Sequence, residues 1–269
     1  MRFPGMRTLD VAGHPITYDE HGDPSAPAVV LLTGWCQDHR LFDPLLPLLT
    51  EDHYVVRIDW RGHGEDRAPV ADFGPAEQAS DAVAVLDALA IGRFLPVSTS
   101  HGGWANLELA DAVGTARVPR TMVIDWLQTP ASPEFLAGLA ASRGDDWRAA
   151  QRELFDIWLD GSSNERVRRH LDDEMAEFDH EMWARSCDVI AAAYRQWGSP
   201  MQRMTRMKQQ RPVRHLFSQP TTDEYVRAHQ EFADAYPWYS YRLLGGETHF
   251  PTLDSPRLVA DDIRSFARG

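Results

Sequence analysis

Apolar and polar positions along the chain fall into two alternating patterns. Short apolar, β-branched runs recur at 27–34 (PAVVLLTG), 54–60 (YVVRIDW), 93–100 (RFLPVSTS), 120–126 (RTMVIDW), 212–218 (PVRHLFS) and 239–246 (YSYRLLGG). Runs of this kind, closed by glycine or polar residues, predict strands, buried ones at 27–34 and 54–60. Residues 6–11 and 15–20 predict an opening hairpin with its turn at Gly13. Helical spacing appears instead at 75–90, where Ala79, Val83, Leu86 and Leu89 share a face, in SHGGWANLELADAV, and from Pro256 to Ala267. Strands separated by helices predict an α/β fold, a mainly parallel sheet with helices on both faces.

Residues 130–211 break the alternation. They show several helical patterns and no clear strand; one, WRAAQRELFDIWLDG (147–161), ends on Gly161 as a helix should. So long an excursion reads as an inserted helical cap at 130–211, with 1–129 and 212–269 forming the core. The cap carries Phe135, Leu136, Leu154, Phe155, Trp158, Met175, Phe178, Trp183, Tyr194, Met201, Met204 and Met207. Most of these are expected to pack the cap on itself, and the set as a whole suits cover over an apolar ligand.

Composition narrows the function classes. At 269 residues with 43% apolar content, the chain is long enough for a sizeable core without disulfide or metal staples. Lys plus Arg number 27 and Asp plus Glu 40, a net charge of −13 that disfavours nucleic acid as a partner. No run approaches a membrane span, and the N-terminal stretch lacks the apolar centre of a signal peptide. Two cysteines, Cys36 and Cys187, exclude a disulfide framework and make a reducing cytoplasm the expected location. The eleven histidines are nowhere closer than seven residues apart, so H-x-H and H-E-x-x-H are absent, as are C-x-x-C and the glycine-rich nucleotide motifs. The expectation is chemistry without a metal or other cofactor.

The chemistry gathers at strand ends. Ser98-Thr99-Ser100-His101-Gly102-Gly103 lies at a strand-to-helix junction, the context of a nucleophile elbow in which Ser98 replaces the usual first glycine. His249, in GGETHFPTLD between the last strand and the closing helix, occupies the place of a catalytic base. Two locations compete for its acid partner: Asp125, closing TMVIDW, and Asp223 or Glu224 after the next strand. The loop Thr33-Gly34-Trp35-Cys36-Gln37 predicts an oxyanion hole from the backbone N–H groups of Trp35 and His101. DWRGHG at 59–64 reads as bracing of its loop, and Cys36 as a buried small residue rather than a nucleophile.

These features place the chain in the α/β-hydrolase fold. GWCQDHR, DWRGHG, LPVSTSHGGW, VIDWL, FDIWLDG, GSPMQ, RHLFSQPT and GGETHFP resemble the cofactor-free 3-hydroxy-4-oxoquinoline and 3-hydroxy-4-oxoquinaldine 2,4-dioxygenases from about residue 27 to the C-terminus. The resemblance implies His249 as base, Asp125 as its acid and Ser100 as an assisting group that forms no acyl-enzyme. It puts Trp35, Gln37, His101 and Trp158 against the substrate, with Gln37 where the family pattern has histidine; a carboxamide hydrogen-bonds but does not titrate near neutrality. The implied reaction takes a 3-hydroxy-4-quinolone and O2 to an N-acylanthranilate and CO. The methionine- and aromatic-rich cap favours 2-alkyl-3-hydroxy-4(1H)-quinolones, the heptyl signal among them, over the methyl compound. A monomer or weak homo-oligomer is expected. The alternatives are a serine hydrolase acylated at Ser100 and a non-catalytic binding protein; epoxide hydrolases and haloalkane dehalogenases are disfavoured because they carry aspartate at that position.

Overall fold

The computed structural model describes residues 5–65, 67 and 73–268. The apolar runs form strands β1 (Arg7–Val11), β2 (His14–His21), β3 (Ala28–Leu32), β4 (Tyr54–Ile58), β5 (Phe94–Thr99), β6 (Thr121–Ile124), β7 (Val213–Phe217) and β8 (Tyr239–Leu243). They make one sheet in the order β1-β2-β4-β3-β5-β6-β7-β8. The opening hairpin and its junction with β4 are antiparallel, and every pairing from β4 to β8 is parallel. Val29 to Leu32 and Met122 to Ile124 are fully buried, which is why these runs are apolar at every position rather than at alternate ones.

Helices α1 (Leu46–Leu49) and α2 (Pro75–Ala88) precede β5, and α3 (Gly102–Arg117) follows it. Between β6 and β7 the chain forms α4 (Pro133–Ala141), α5 (Trp147–Leu159), α6 (Glu165–Arg169), α7 (His180–Trp197) and α8 (Pro200–Thr205), with no strand. Side-chain caps set where these helices begin: Ser132 accepts from the Phe135 N–H, Asp179 from Met182 and Ser199 from Gln202. α5 stops where Asp160 and Gly161 enter the left-handed region, φ 49° and 74°. Of the apolar residues in this excursion, Phe155, Met175, Phe178, Trp183, Tyr194, Met201, Met204 and Met207 are buried, whereas Leu136 is 40% exposed.

The chain closes with α9 (Asp223–Ala235), α10 (Pro251–Asp254) and α11 (Pro256–Arg268). Nothing in the apolar runs predicts α9, because its charged residues mask the pattern. Its signals are local: Thr222 caps the Tyr225 N–H, Asp223 and Glu224 sit in the first turn, and Tyr225, His229 and Phe232 recur on one face.

Candidate active site

Loops leaving the C-terminal ends of β3, β5, β6 and β8 converge at one edge of the sheet, as expected of an open α/β fold. β5 ends at Thr99 and passes directly into α3, and Ser100 takes the corner with φ 48°. That conformation costs a side chain about 1–2 kcal/mol. The neighbours enforce it: the Ser100 N–H donates to the Ile124 carbonyl at 2.8 Å, and its own carbonyl accepts from the Gly103 N–H at 3.0 Å. A Cβ on Gly103 would stand 2.2 Å from the Trp126 ring, so the corner tolerates only glycine there. Ser98 fits in place of the usual glycine because its buried hydroxyl accepts from Asn106 Nδ2 at 3.0 Å.

Asp125 follows β6, also at positive φ (47°). Its N–H donates to the Leu216 carbonyl at 2.7 Å, and its Oδ2 accepts from the Ser218 N–H at 2.6 Å. The remaining oxygen, Oδ1, lies 2.8 Å from His249 Nδ1. Burial pushes the Asp125 carboxyl above the usual range; the His249 imidazole and the N–H groups of Ser218 and Gln219 pull it back. This pairing assigns the imidazole proton to Nδ1 and leaves Nε2 as the basic nitrogen, 3.4 Å from Ser100 Oγ. Asp223 and Glu224 are exposed in the first turn of α9, and it is Asp125 that meets the histidine.

The excursion holds the other side of His249. Trp158 from α5 stacks on the imidazole with ring centroids 5.0 Å apart and planes 14° apart, and its carbonyl accepts the His249 N–H at 3.1 Å. Phe250 stands edge-on to both rings.

The loop after β3 closes over the elbow. The Gly34 N–H donates to Thr99 Oγ1 at 2.9 Å and to Gln37 Oε1 at 3.0 Å, and a Cβ on Gly34 would come within 3.1 Å of Ser100 Cβ. Among the described residues the backbone N–H groups of Trp35 and His101 have no acceptor within the protein. Trp35 Nε1 and His101 Nδ1 are likewise buried without a partner among those residues. The Trp35 indole packs edge-on to Phe73, and the His101 imidazole stacks on Phe135 and meets the edge of Tyr194. Burial, and secondarily the neighbouring His249, push the His101 imidazole down to about 3, so it is neutral at physiological pH. Gln37 is buried and turns its carboxamide oxygen to the loop itself. Cys36 is buried at φ 58° with its Sγ 3.4 Å from Ser186 Oγ, and burial pushes its thiol far up, away from the reactive thiolate.

DWRGHG braces this loop from behind. Asp59 accepts from the His39 N–H and faces its Nδ1, both at 2.7 Å; Trp60 Nε1 donates to the Thr33 carbonyl at 2.8 Å; Arg61 grips the Asp81 carboxylate with two contacts of 2.7 Å. His63 is wholly buried between Phe73 and Phe178, its Nδ1 3.1 Å from the Arg61 carbonyl, and burial lowers it to about 4. The unfolded chain takes up this proton near pH 6.5 and the folded one does not, so stability is lost as pH falls from there toward 4. His63→Asn keeps a donor for Arg61 and removes the titration. Its stability deficit relative to wild type is expected to shrink by about 2 kcal/mol between pH 7.5 and pH 5. Urea titrations at the two pH values read this directly, and a constant deficit would refute it.

Sequence reasoning missed Phe73, Ser218 and the supporting role of Gln37. Phe73 and Ser218 carry no local signal, and only their spatial neighbours give them a part in the site.

Comparison with known proteins agrees with this geometry. The profile of the Alpha/beta hydrolase family matches residues 29–262. A 2-heptyl-3-hydroxy-4(1H)-quinolone dioxygenase of Mycobacteroides abscessus is 44% identical over 256 residues, 95% of each chain. A 1H-3-hydroxy-4-oxoquinoline 2,4-dioxygenase of Pseudomonas putida is 44% identical over 262 residues, 97% of this chain and 99% of its own. Among solved structures, an AqdC variant in complex with its substrate, from work on ring cleavage of the Pseudomonas quinolone signal, superposes with a TM-score of 0.95 at 42% identity, covering 98% and 99% of the two chains. An enol-lactonase of Burkholderia xenovorans shares the fold at a TM-score of 0.79 and 21% identity, over 98% of this chain and 100% of its own.

Proposed function

Because the chain belongs to the α/β hydrolase family and, within it, to the 3-hydroxy-4-quinolone 2,4-dioxygenases, we propose that it cleaves the ring of 2-alkyl-3-hydroxy-4(1H)-quinolones with O2, releasing CO and an N-acylanthranilate. The observation that carries this reading is identity of 42–44% over nearly the whole chain to dioxygenases of that substrate class.

The residues present suit each step. A 3-hydroxy-4-quinolone is an enol beside a carbonyl, and His249 Nε2, its other nitrogen engaged by Asp125 at 2.8 Å, takes the 3-hydroxyl proton. The resulting anion transfers an electron to O2, and recombination places a peroxide on ring carbon 2. The peroxide attacks carbon 4 and creates an oxyanion, for which the unengaged N–H groups of Trp35 and His101 are the donors. Collapse expels carbon 3 as CO; both oxygen atoms of O2 remain in the N-acylanthranilate. His101 contributes a neutral ring, and its unpartnered Nδ1 and the unpartnered Nε1 of the Trp35 indole supply polar contacts in an otherwise aromatic surround. Trp158 covers the base and keeps its plane fixed. Residues 130–211 act as the cap over the substrate.

Ser100 assists rather than attacks. Its hydroxyl lies 3.4 Å from His249 Nε2, at the outer edge of hydrogen-bond reach, where it can hydrogen-bond the substrate beside the base. A monomer or weak homo-oligomer fits this self-contained site. The free, buried Cys36 and Cys187 fit a reducing cytoplasm, and among the described residues no helix is long and apolar enough to cross a membrane.

The test is aerobic incubation with 2-heptyl-3-hydroxy-4(1H)-quinolone, with and without a chelator, assaying CO and the acylanthranilate. Stoichiometric CO in both arms is expected, with part of the turnover retained in Ser100→Ala. Absence of CO, together with p-nitrophenyl ester cleavage that collapses in Ser100→Ala, would make the protein a serine hydrolase.

A further inference from the structure

Behind the Asp125 corner lies a closed circuit of hydrogen bonds. The Trp126 N–H donates to His215 Nε2 at 3.3 Å. His215 Nδ1 lies 2.9 Å from His229 Nε2, and His229 Nδ1 lies 2.9 Å from the Tyr225 carbonyl. The Tyr225 hydroxyl donates to the Trp126 carbonyl at 3.0 Å and accepts from the Gln128 N–H at 3.1 Å. One proton assignment satisfies every contact: both histidines neutral, each with its proton on Nδ1. A second proton on either ring would set two donors face to face. Both histidines are fully buried, each stacked against Phe217, so the surroundings favour the neutral rings.

The circuit grips both backbone polar groups of Trp126, the residue directly after Asp125. Asp125 itself sits at positive φ, and its carboxylate accepts from Ser218, just beyond the strand that carries His215. The direction of the carboxylate therefore depends on how firmly the next residue is held.

We infer that the His215–His229–Tyr225 circuit is a positioning device that fixes Trp126 and, through it, the angle at which Asp125 meets His249. These are positioning residues, remote from any reacting atom. The inference rests on the reading of Asp125 as the partner that orients the base.

Tyr225→Phe tests it with little change in packing, since the aromatic ring stays and only the hydroxyl contacts to Trp126 and Gln128 are lost. The expected result is a kcat lower by about 10- to 100-fold with KM within about twofold of wild type, the pattern of a misaligned catalytic group. The downfield Nδ1 proton resonance of His249 should shift or broaden in the same variant. His215→Leu should show both effects, and His215→Gln, which keeps an acceptor within reach of the Trp126 N–H, should recover most of the loss. Val259→Ala, a buried change in α11, lowers stability and leaves kcat and the resonance unchanged. The inference is overturned if Tyr225→Phe or His215→Leu loses thermal stability while kcat and the resonance stay at wild-type values. Should Tyr225→Phe fail to fold, the His215→Leu and His215→Gln pair decides. The resonance is read without substrate, so a wild type that releases no CO would overturn the reaction and leave this test intact.

Discussion

Replacing His249 with alanine is expected to lower CO release by about 10²- to 10⁴-fold, the span a positioned general base contributes. The imidazole is the basic group placed by the structure against Ser100, with its far nitrogen held by Asp125. Without it, the 3-hydroxyl proton must go to water, and the electron-rich anion that reacts with O2 forms slowly at neutral pH. Trp158 loses its stacking partner, although the rest of the aromatic surround, Trp35, Phe135 and Tyr194, is untouched. KM should therefore change far less than kcat. Supplying the substrate at high pH, where its hydroxyl ionises unaided, should restore part of the lost rate. Asp125→Ala should fall between wild type and His249→Ala, since the base survives but loses the group that fixes its tautomer and plane. A His249→Ala enzyme that kept a tenth of wild-type turnover would remove this residue from the role.

Arg61→Leu is expected to cost about 3–5 kcal/mol of stability, the loss seen when one partner of a buried ion pair is removed. The Asp81 side chain is 1% exposed and the Arg61 side chain 8%, and they share a bidentate contact that links the loop after β4 to α2. Burial raises the Asp81 carboxyl and Arg61 opposes that rise, so deleting the guanidinium leaves a carboxylate that favours taking up a proton. The deficit should consequently be smaller at pH 5 than at pH 8. Adding Asp81→Leu to Arg61→Leu should recover most of the stability, because the stranded charge is then gone. Chemical denaturation of the two variants measures both points. The residual folded enzyme should turn over within a few-fold of wild type, because the loop after β3 keeps its own braces through Asp59 and Trp60. A single variant as stable as wild type would show that the pair contributes nothing net.

The alternation of apolar runs with helical spacing already implied a parallel sheet, and each run became a strand within a few residues of its expected limits. Strand burial writes itself into sequence because a strand covered on both faces carries a polar side chain only where that group finds a partner, as Ser98 and His215 do. The elbow at Ser100 was legible for a similar reason: a left-handed corner with the Trp126 ring pressed against it demands glycine at 103, and that demand stays local. The late histidine was legible by its place between the last strand and the closing helix. α9 was not, since its buried face is scattered among charged residues and becomes coherent only against β7 and β8. The choice between Asp125 and Asp223 or Glu224 needed the tertiary structure together with the family resemblance. All three stand near strand ends, and only the folded chain brings an atom 124 residues away to within 2.8 Å of one of them. The same holds for Gln37, whose carboxamide turned out to brace its own loop, and for His215 and His229, which look like isolated histidines until a strand and a helix set them 2.9 Å apart. Local sterics and burial leave their mark on neighbouring residues; contacts across the sheet leave none, so those parts of the site belong to the fold alone.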